Sequence, residues 1–435
     1  MTRSVAALVA VLAATSAPAL DGQSSAIVRL DTAAEEYSRQ LQTAEATVDL
    51  NAGISSDSGW SLTAVARVRA DTQDRLEPGR PDQHERSSYN RRWILSDTAD
   101  AELREFYIDG HIGPAFLRLG KQQVVWGQAD GLRVLDVVNP FSFREFIWPD
   151  PQDRRIPLWT LKAEVPVGPA TLQLLWLPDP TYDEIPLGNA AFAITTPLLV
   201  PRPTRPIEVR PPLRPKGVED GSDAGARLSA FVGGWDVTLN YLYHYYDDPV
   251  PFIAPTQAGP VLAPRYERSR LFGATFSNAF GSTTLRGEVG YSTDRWFITE
   301  SPLDVDRAFA SDEFAFVVGV DNTALTNTLL SVQYFESRLQ TVDPFMTREP
   351  VERQATLVVQ RSFRNESWKL RALWLSSLTR GDGGVQARLS WQASANISVG
   401  ISLEKFYGDP DGLFGEFRDA SRAGIDFQWS WSRSR

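Results

Sequence analysis

The chain has 435 residues, 42% hydrophobic and 23% charged, a balance that excludes wholesale disorder. Its 44 basic and 54 acidic residues give a formal net charge of -10, without the basic surface by which a general nucleic-acid binder collects phosphates. Cysteine is absent and the three histidines (His84, His111, His244) are far apart, which excludes disulfide scaffolds, thiol nucleophiles, zinc ribbons and multi-histidine metal sites.

At the N-terminus, Arg3 precedes an apolar run from Val5 to Ala14, and Ala17-Pro18-Ala19 offers an A-x-A cleavage site. Residues 1–19 therefore read as a secretory signal peptide. No later run approaches the about 18 apolar residues of a membrane helix, so any span of the exported chain is expected to be a β-strand. Residues 20–435 are expected to form a single barrel domain.

Period-2 alternation recurs from there to the end. It predicts 17 strands, over roughly 43–53, 59–71, 99–110, 113–122, 157–166, 168–177, 223–233, 234–246, 266–280, 282–293, 311–322, 325–338, 351–363, 366–379, 384–394, 397–407 and 421–432. These are longer than the about 5–6 residues of a globular strand and suit tilted membrane strands of about 9–11. Short connections alternate with long ones (72–98, 123–156, 178–222, 247–265, 294–310, 339–350). That is the pattern of an outer-membrane barrel with tight periplasmic turns and long outer loops. With both termini periplasmic, the first connection must be an outer one, yet 54–58 is short, so one more strand is expected upstream at Ser24–Leu30. The expectation is an all-β, up-and-down antiparallel transmembrane β-barrel of 18 strands, or 16 if one hairpin is a loop feature. Thr32-Ala33-Ala34-Glu35 reads as a capping box opening a short helix through about Gln42.

The faces differ in polarity. In Trp235–Tyr245, Trp235, Val237, Leu239, Tyr241, Tyr243 and Tyr245 share one face, while Asp236, Thr238, Asn240 and His244 share the other. The apolar faces are expected to meet lipid, with Trp and Tyr girdles at the strand ends. The polar faces carry both signs: Arg67, Arg69, Arg104, Lys162, Glu164, Arg286, Glu288, Lys369, Arg371, Arg388 and Asp426. They would form a wet, charge-paired lumen, part of which lines a translocation path.

Residues 118–160 hold the one concentrated motif. It runs Arg118-Leu119-Gly120-Lys121-Gln122, then Trp126-Gly127-Gln128-Ala129-Asp130-Gly131, then Asp136-Val137-Val138-Asn139-Pro140, then Arg154-Arg155-Ile156-Pro157-Leu158-Trp159. Its aromatics (Trp126, Phe141, Phe143, Phe146, Trp148) are too many for a freely solvated loop, and its charges nearly cancel. The segment 123–156 is therefore expected to fold into the barrel as a constriction. Its candidate lumen residues are Lys121, Gln122, Trp126, Asp130, Arg133, Asp136, Asn139, Arg144, Arg154 and Arg155.

The motif G-K-Q-x-x-x-W-G-x-x-D-G, with D-x-x-N-P and R-R-I-P-x-W after it, resembles an uncharacterised, domain-of-unknown-function family of Gram-negative outer-membrane β-barrel proteins. The resemblance is specific over about 118–180, continuing through Leu174-Leu175-Trp176-Leu177-Pro178-Asp179-Pro180, and architectural elsewhere. It implies an outer-membrane channel moving hydrophobic or lipidic solutes with an RND/MMPL-type inner-membrane transporter and a periplasmic lipoprotein-like factor. The barrel assembly machinery would insert it. Such barrels end on an aromatic; here Ser432-Arg433-Ser434-Arg435 follow Trp431.

Within 178–222, a Pro/Arg-rich outer loop, seven prolines between Thr196 and Gly217 alternate with Arg202, Arg205, Arg210, Arg214 and Lys216. Such density blocks helix and strand. The segment would be a plain loop, or a basic arm that touches lipopolysaccharide phosphates or folds over the pore. No nucleophile, base and orienter come together in sequence, so catalysis is not expected, nor is a cofactor. A structural or adhesive barrel, or a secreted soluble β-protein, are the competing readings.

Overall fold

The computed structural model describes residues 20–201, 207–215, 217–257, 259–301, 304 and 306–434; the expected signal peptide lies outside the described residues. Eighteen strands form the wall. They are β1 (Leu20–Glu35), β2 (Leu41–Ser56), β3 (Ser61–Asp71), β4 (Ala99–Ile112), β5 (Ala115–Gln122), β6 (Leu158–Val167), β7 (Ala170–Leu177), β8 (Asp223–Val232) and β9 (Trp235–Tyr245). Then follow β10 (Arg268–Phe280), β11 (Thr283–Ile298), β12 (Ala308–Asn322), β13 (Thr328–Leu339), β14 (Val351–Phe363), β15 (Trp368–Ser377), β16 (Gly383–Ser394), β17 (Ile397–Tyr407) and β18 (Arg422–Ser434). Each pairs antiparallel with its sequence neighbours. The cylinder closes where β1 pairs β18, from Gln23↔Ser434 to Glu35↔Arg422. Closure leaves no unpaired edge, which is what strands in hydrocarbon require. The short strand Trp93–Ser96 adds to the end of β4. A three-stranded sheet of Glu208–Val209, Val250–Thr256 and Gly259–Arg265 sits outside the barrel wall.

One end of the barrel carries the chain termini and connections of two to five residues, such as 113–114, 168–169 and 323–327. The other carries the long segments 72–98, 123–157 and 178–222, and also two tight links at 36–40 and 378–382. We refer to these as the turn end and the loop end. Among the described residues no helix is long and apolar enough to cross a membrane.

Burial is inverted relative to a water-soluble sheet. In β9, Leu239 is 63% exposed while Thr238 and Asn240 on the opposite face are buried. Leu403 and Ile425 on the adjoining β17 and β18 are likewise 63% exposed. Apolar side chains coat the outside and polar ones fill the inside, as a lipid-facing cylinder demands.

One expectation fails. Thr32–Glu35 are not a helix; they are the last residues of β1, and a turn at 36–40 replaces the expected loop. A T-x-x-E signal stabilises a helix start by about 0.5–2 kcal/mol. Here the segment instead extends two ladders, Thr32↔Ala44 with β2 and Thr32↔Ile425 with β18. The strand at Ser24–Leu30 is present and longer than expected, which settles the number at 18 rather than 16. At the C-terminus, β18 runs on past Trp431, with Ser432 opposite Ser25 and Ser434 opposite Gln23.

Candidate functional site

The segment 123–157, between β5 and β6, folds into the lumen. It leaves the wall after Gln122, just past Gly120, whose φ of +135° belongs to glycine; a Cβ there would lie 2.1 Å from the Phe106 carbonyl oxygen. Asn139 ties the base of the loop together: its Oδ1 accepts from Val124 N–H at 2.7 Å and its Nδ2 donates to the Ile156 carbonyl at 2.9 Å.

One sector of the inner wall is apolar and receives the loop. Val124, Trp126, Val134, Leu135 and Val138 pack on Leu175, Leu177, Leu242, Leu271 and Val317. Glycines in the wall make sockets for the largest of them. A Cβ on Gly225 would meet the Trp126 ring at 2.8 Å, and one on Gly273 would meet Leu135 at 2.3 Å. Polar contacts complete the seat. Trp126 Nε1 donates to Gln173 at 2.8 Å. The Glu288 carboxylate accepts the backbone N–H of Gln128, of Ala129 at 2.8 Å and of Leu135 at 3.1 Å. Asp130 is bound by Arg286 and by Gln333 Nε2 at 2.7 Å. Farther along, Phe146 and Trp148 join Phe192, Phe406, Phe414 and Phe417 in a second aromatic cluster under the loop end.

The opposite sector stays open. A cavity lies between loop residues 142–154 and the wall formed by β1–β3 and β15–β18. Its lining is charged in both signs. Arg144 pairs with Glu45 at 2.6 Å. Arg422 pairs with Glu145 at 2.6 Å and Glu404 at 2.5 Å. Arg67 pairs with Asp49 at 2.6 Å and with loop residue Asp153 at 2.9 Å. Burial works against the charge on Glu145, but the Arg422 and Arg144 guanidiniums outweigh it and hold the carboxyl below its usual range.

Of the ten residues singled out from sequence, Arg144 and Arg154 line this cavity. Arg154 donates to the Pro149 carbonyl at 3.0 Å; burial and the neighbouring Arg133 pull it down to about 10, still charged at neutral pH. The other eight shape the loop. Trp126, Asp130 and Asn139 seat it as above. Lys121 is buried and donates from Nζ to the Leu103 carbonyl at 2.7 Å. Gln122 donates to the Thr160 carbonyl at 3.1 Å. Arg155 pairs with Asp136 at 2.5 Å. Arg133 reaches Asp183 at 3.1 Å and lies 4.5 Å from the Phe141 ring centre.

Behind the loop, segment 72–98 is clamped by buried ions. Arg86 binds Glu102 at 2.9 Å and Glu184 at 2.6 Å. Burial favours the neutral acid at Glu184, yet Arg86 and Arg92 bring it down to about 2. The Pro/Arg-rich segment folds back on this clamp, with Arg214 donating to the His84 and Arg86 carbonyls at 2.8 and 2.7 Å. Arg202, Arg205 and Lys216 lie outside the described residues.

The family model described as "Protein of unknown function (DUF1302)" matches residues 82–358, more than half of the chain and all of the inward loop. The chain belongs to that family. Comparison with curated proteins gave no match. Among solved structures, a BenF-like porin from Pseudomonas fluorescens is similar at TM-score 0.54 and 9% identity, covering 96% of this chain and 99% of that one. Pseudomonas aeruginosa OccK8 (OprE) is similar at 0.53 and 10%, covering 96% and 98%. OccK2 (OpdF) of the same organism, solved in complex with glucuronate, is similar at 0.51 and 10%, covering 95% and 98%. At such identities the likeness is one of fold: the DUF1302 chain shares the closed antiparallel β-barrel of those porins.

Several cavity residues of this family member fall outside the sequence motif: Arg29, Asp31, Glu45, Glu404 and Arg422; Asp153 lies inside it but was not singled out. Strand parity signals those on the wall, as it does Arg67, Arg371, Arg388 and Asp426. No local pattern says which of many inward charges face open space and which face the loop.

Proposed function

We propose that this protein is an outer-membrane channel whose lumen is narrowed by the inward 123–157 loop. The observation that carries the reading is the one-sided seat. The loop is held by an apolar wall sector and by Glu288, and leaves a charged cavity along β1–β3 and β15–β18. In this reading Arg144 and Arg154 are the loop residues that touch a passing solute, and the other eight hold the constriction in shape. A lining of paired charges suits small polar solutes, which exchange hydration for fixed ions at low cost. The reading places the chain in the outer membrane of a Gram-negative bacterium after removal of residues 1–19, inserted by the barrel assembly machinery and set among lipid and lipopolysaccharide. It gives the protein no catalytic role.

A second reading, passage of hydrophobic or lipidic solutes together with an RND/MMPL-type transporter and a periplasmic lipoprotein-like factor, is favoured by apolar side chains displayed at the loop end. Leu187 is 71% exposed there, and Val209 and Leu213 are 64% exposed. Planar-bilayer recordings of the full barrel and of a variant lacking 128–150 test the constriction. The deletion is expected to raise single-channel conductance severalfold, and an unchanged conductance would overturn it. Liposome swelling with amino acids or sugars against uptake of an apolar dye separates the two cargoes.

A further inference from the structure

Most inward charges of the barrel are paired. Arg286 binds Asp321 at 2.8 Å, Arg118 binds Asp109, Arg67 binds Asp49, and Arg295 binds Glu313 at 2.6 Å. One patch gathers several cations with few partners. Lys369 and Arg371 on β15 face the lumen two residues apart, and the ladder places Arg371 directly opposite Arg388 on β16. Like charges facing each other across two strands destabilise a sheet, and Arg371 and Lys369 form no ion pair with the described residues. Arg371 has only the neutral Gln386 Oε1, at 3.3 Å. Of the nearby carboxylates, Glu404 is taken by Arg422, Asp31 lies opposite Asp426 on β1, and Asp426 binds Arg388 at 2.6 Å. Asp426 reaches across β17 because Gly400 intervenes, where a Cβ would lie 2.2 Å from an Asp426 oxygen. Lys369 and Arg371 thus have no carboxylate of their own, and the patch meets solvent: Lys369 is exposed, and Arg371 and Arg388 line the cavity.

The position is as telling as the charge. Two residues up β15 from Arg371, Leu373 packs against Gly131 of the inward loop, whose Cβ position lies 4.0 Å from Leu373 Cδ2. The patch therefore lies immediately on the turn-end side of the constriction, where a solute that has cleared the loop next meets the wall. A cost in stability kept at such a point, when a carboxylate at Gln360, directly opposite Arg371, would reduce it, is the mark of a site whose counter-ion comes from solution.

We propose that Lys369, Arg371 and Arg388 form an oxyanion site on the lumen wall, taking the carboxylate or phosphate group of a solute between the two guanidinium forks. Planar forks side by side match the two oxygens of such a group, and the lysine supplies a third donor. As a station on a transport path the site rests on the channel reading; as a binding site it does not.

The test uses the full barrel and a Lys369→Gln/Arg371→Gln double variant, with Arg338→Gln on the outer face as control. Arg388 is left in place so that Asp426 keeps its partner. In bilayers under a KCl gradient, the chloride-to-potassium permeability ratio is expected to fall at least about twofold in the double variant and to hold in the control. Independently, inorganic phosphate mixed with the detergent-solubilised barrel is expected to show a broadened 31P resonance, sharpened in the double variant alone. A permeability ratio and a linewidth that both ignore the double substitution overturn the site. A barrel that carries no current but still broadens phosphate through these residues overturns the channel reading and keeps the site.

Discussion

At the scale of single residues, the loop is positioned by what the wall lacks. Gly273 and Gly225 give up side chains so that Leu135 and Trp126 can enter the wall. Filling a packed socket costs roughly 1–3 kcal/mol, and here the cheaper response is for the loop to leave. Gly273→Leu is therefore expected to unseat 123–157 without opening the barrel. Limited proteolysis should cut within the loop at least about tenfold faster, a free-energy change of about 1.4 kcal/mol. The variant should still migrate as a folded barrel in unheated detergent gels. Loss of the folded band would show that the loop is part of the barrel's core rather than a guest in it. These glycines look like ordinary strand residues in sequence, because their partners lie about a hundred or more positions away. Gly120 is different: its φ follows from the local exit of the chain, and a glycine before the loop motif is legible as such.

Elements at the loop end are held by ions rather than by apolar packing alone, which makes them sensitive to pH. The segment after β9 carries Asp248, pushed from 3.8 up to about 6 by burial and by the Asp183 carboxylate; Arg133, Arg295 and Tyr246 also face it. With the folded value raised, the opened segment releases its proton first. Closure is thus best supported below the ordinary carboxyl value and weakens as pH rises through about 6. Amides of 246–249 are expected to exchange faster at pH 7.5 than at pH 5, after correction for intrinsic rates. Asp247 beside it is raised as well, by burial and by Asp183, so an Asp247→Asn/Asp248→Asn variant should remove that difference, and a difference that survives it would assign the effect elsewhere. The failed helix at Thr32–Gln42 belongs to this scale too. Local capping chemistry is worth little against two complete ladders, and sequence windows do not see ladders. The strand over 351–363, in contrast, is read directly, since Leu357 outward and Val358 inward obey period 2 with no competing signal.

For the whole molecule, the decisive feature is an outside made of apolar side chains and an inside made of charge. A closed cylinder of this kind resists unfolding in detergent at room temperature because its ladders have no edge at which to fray. Unheated samples are expected to migrate faster than boiled ones. Protease added to intact cells should reach the 72–98 and 178–222 segments and spare the turns at 113–114 and 168–169. Cleavage at the turns alone would reverse the orientation and place the oxyanion site on the outer side of the constriction.

Alternation of side chains along each strand determined, from the sequence alone, the barrel class, where most strands lie and which face is apolar. These are properties of neighbours, set by a backbone whose side chains flip at every residue. Only the tertiary structure decided where the inward loop rests, which lumen charges find partners and which, like Arg371 against Arg388, are left facing each other. Those outcomes depend on the register between strands and on contacts between distant segments, and the alternation within one strand fixes neither.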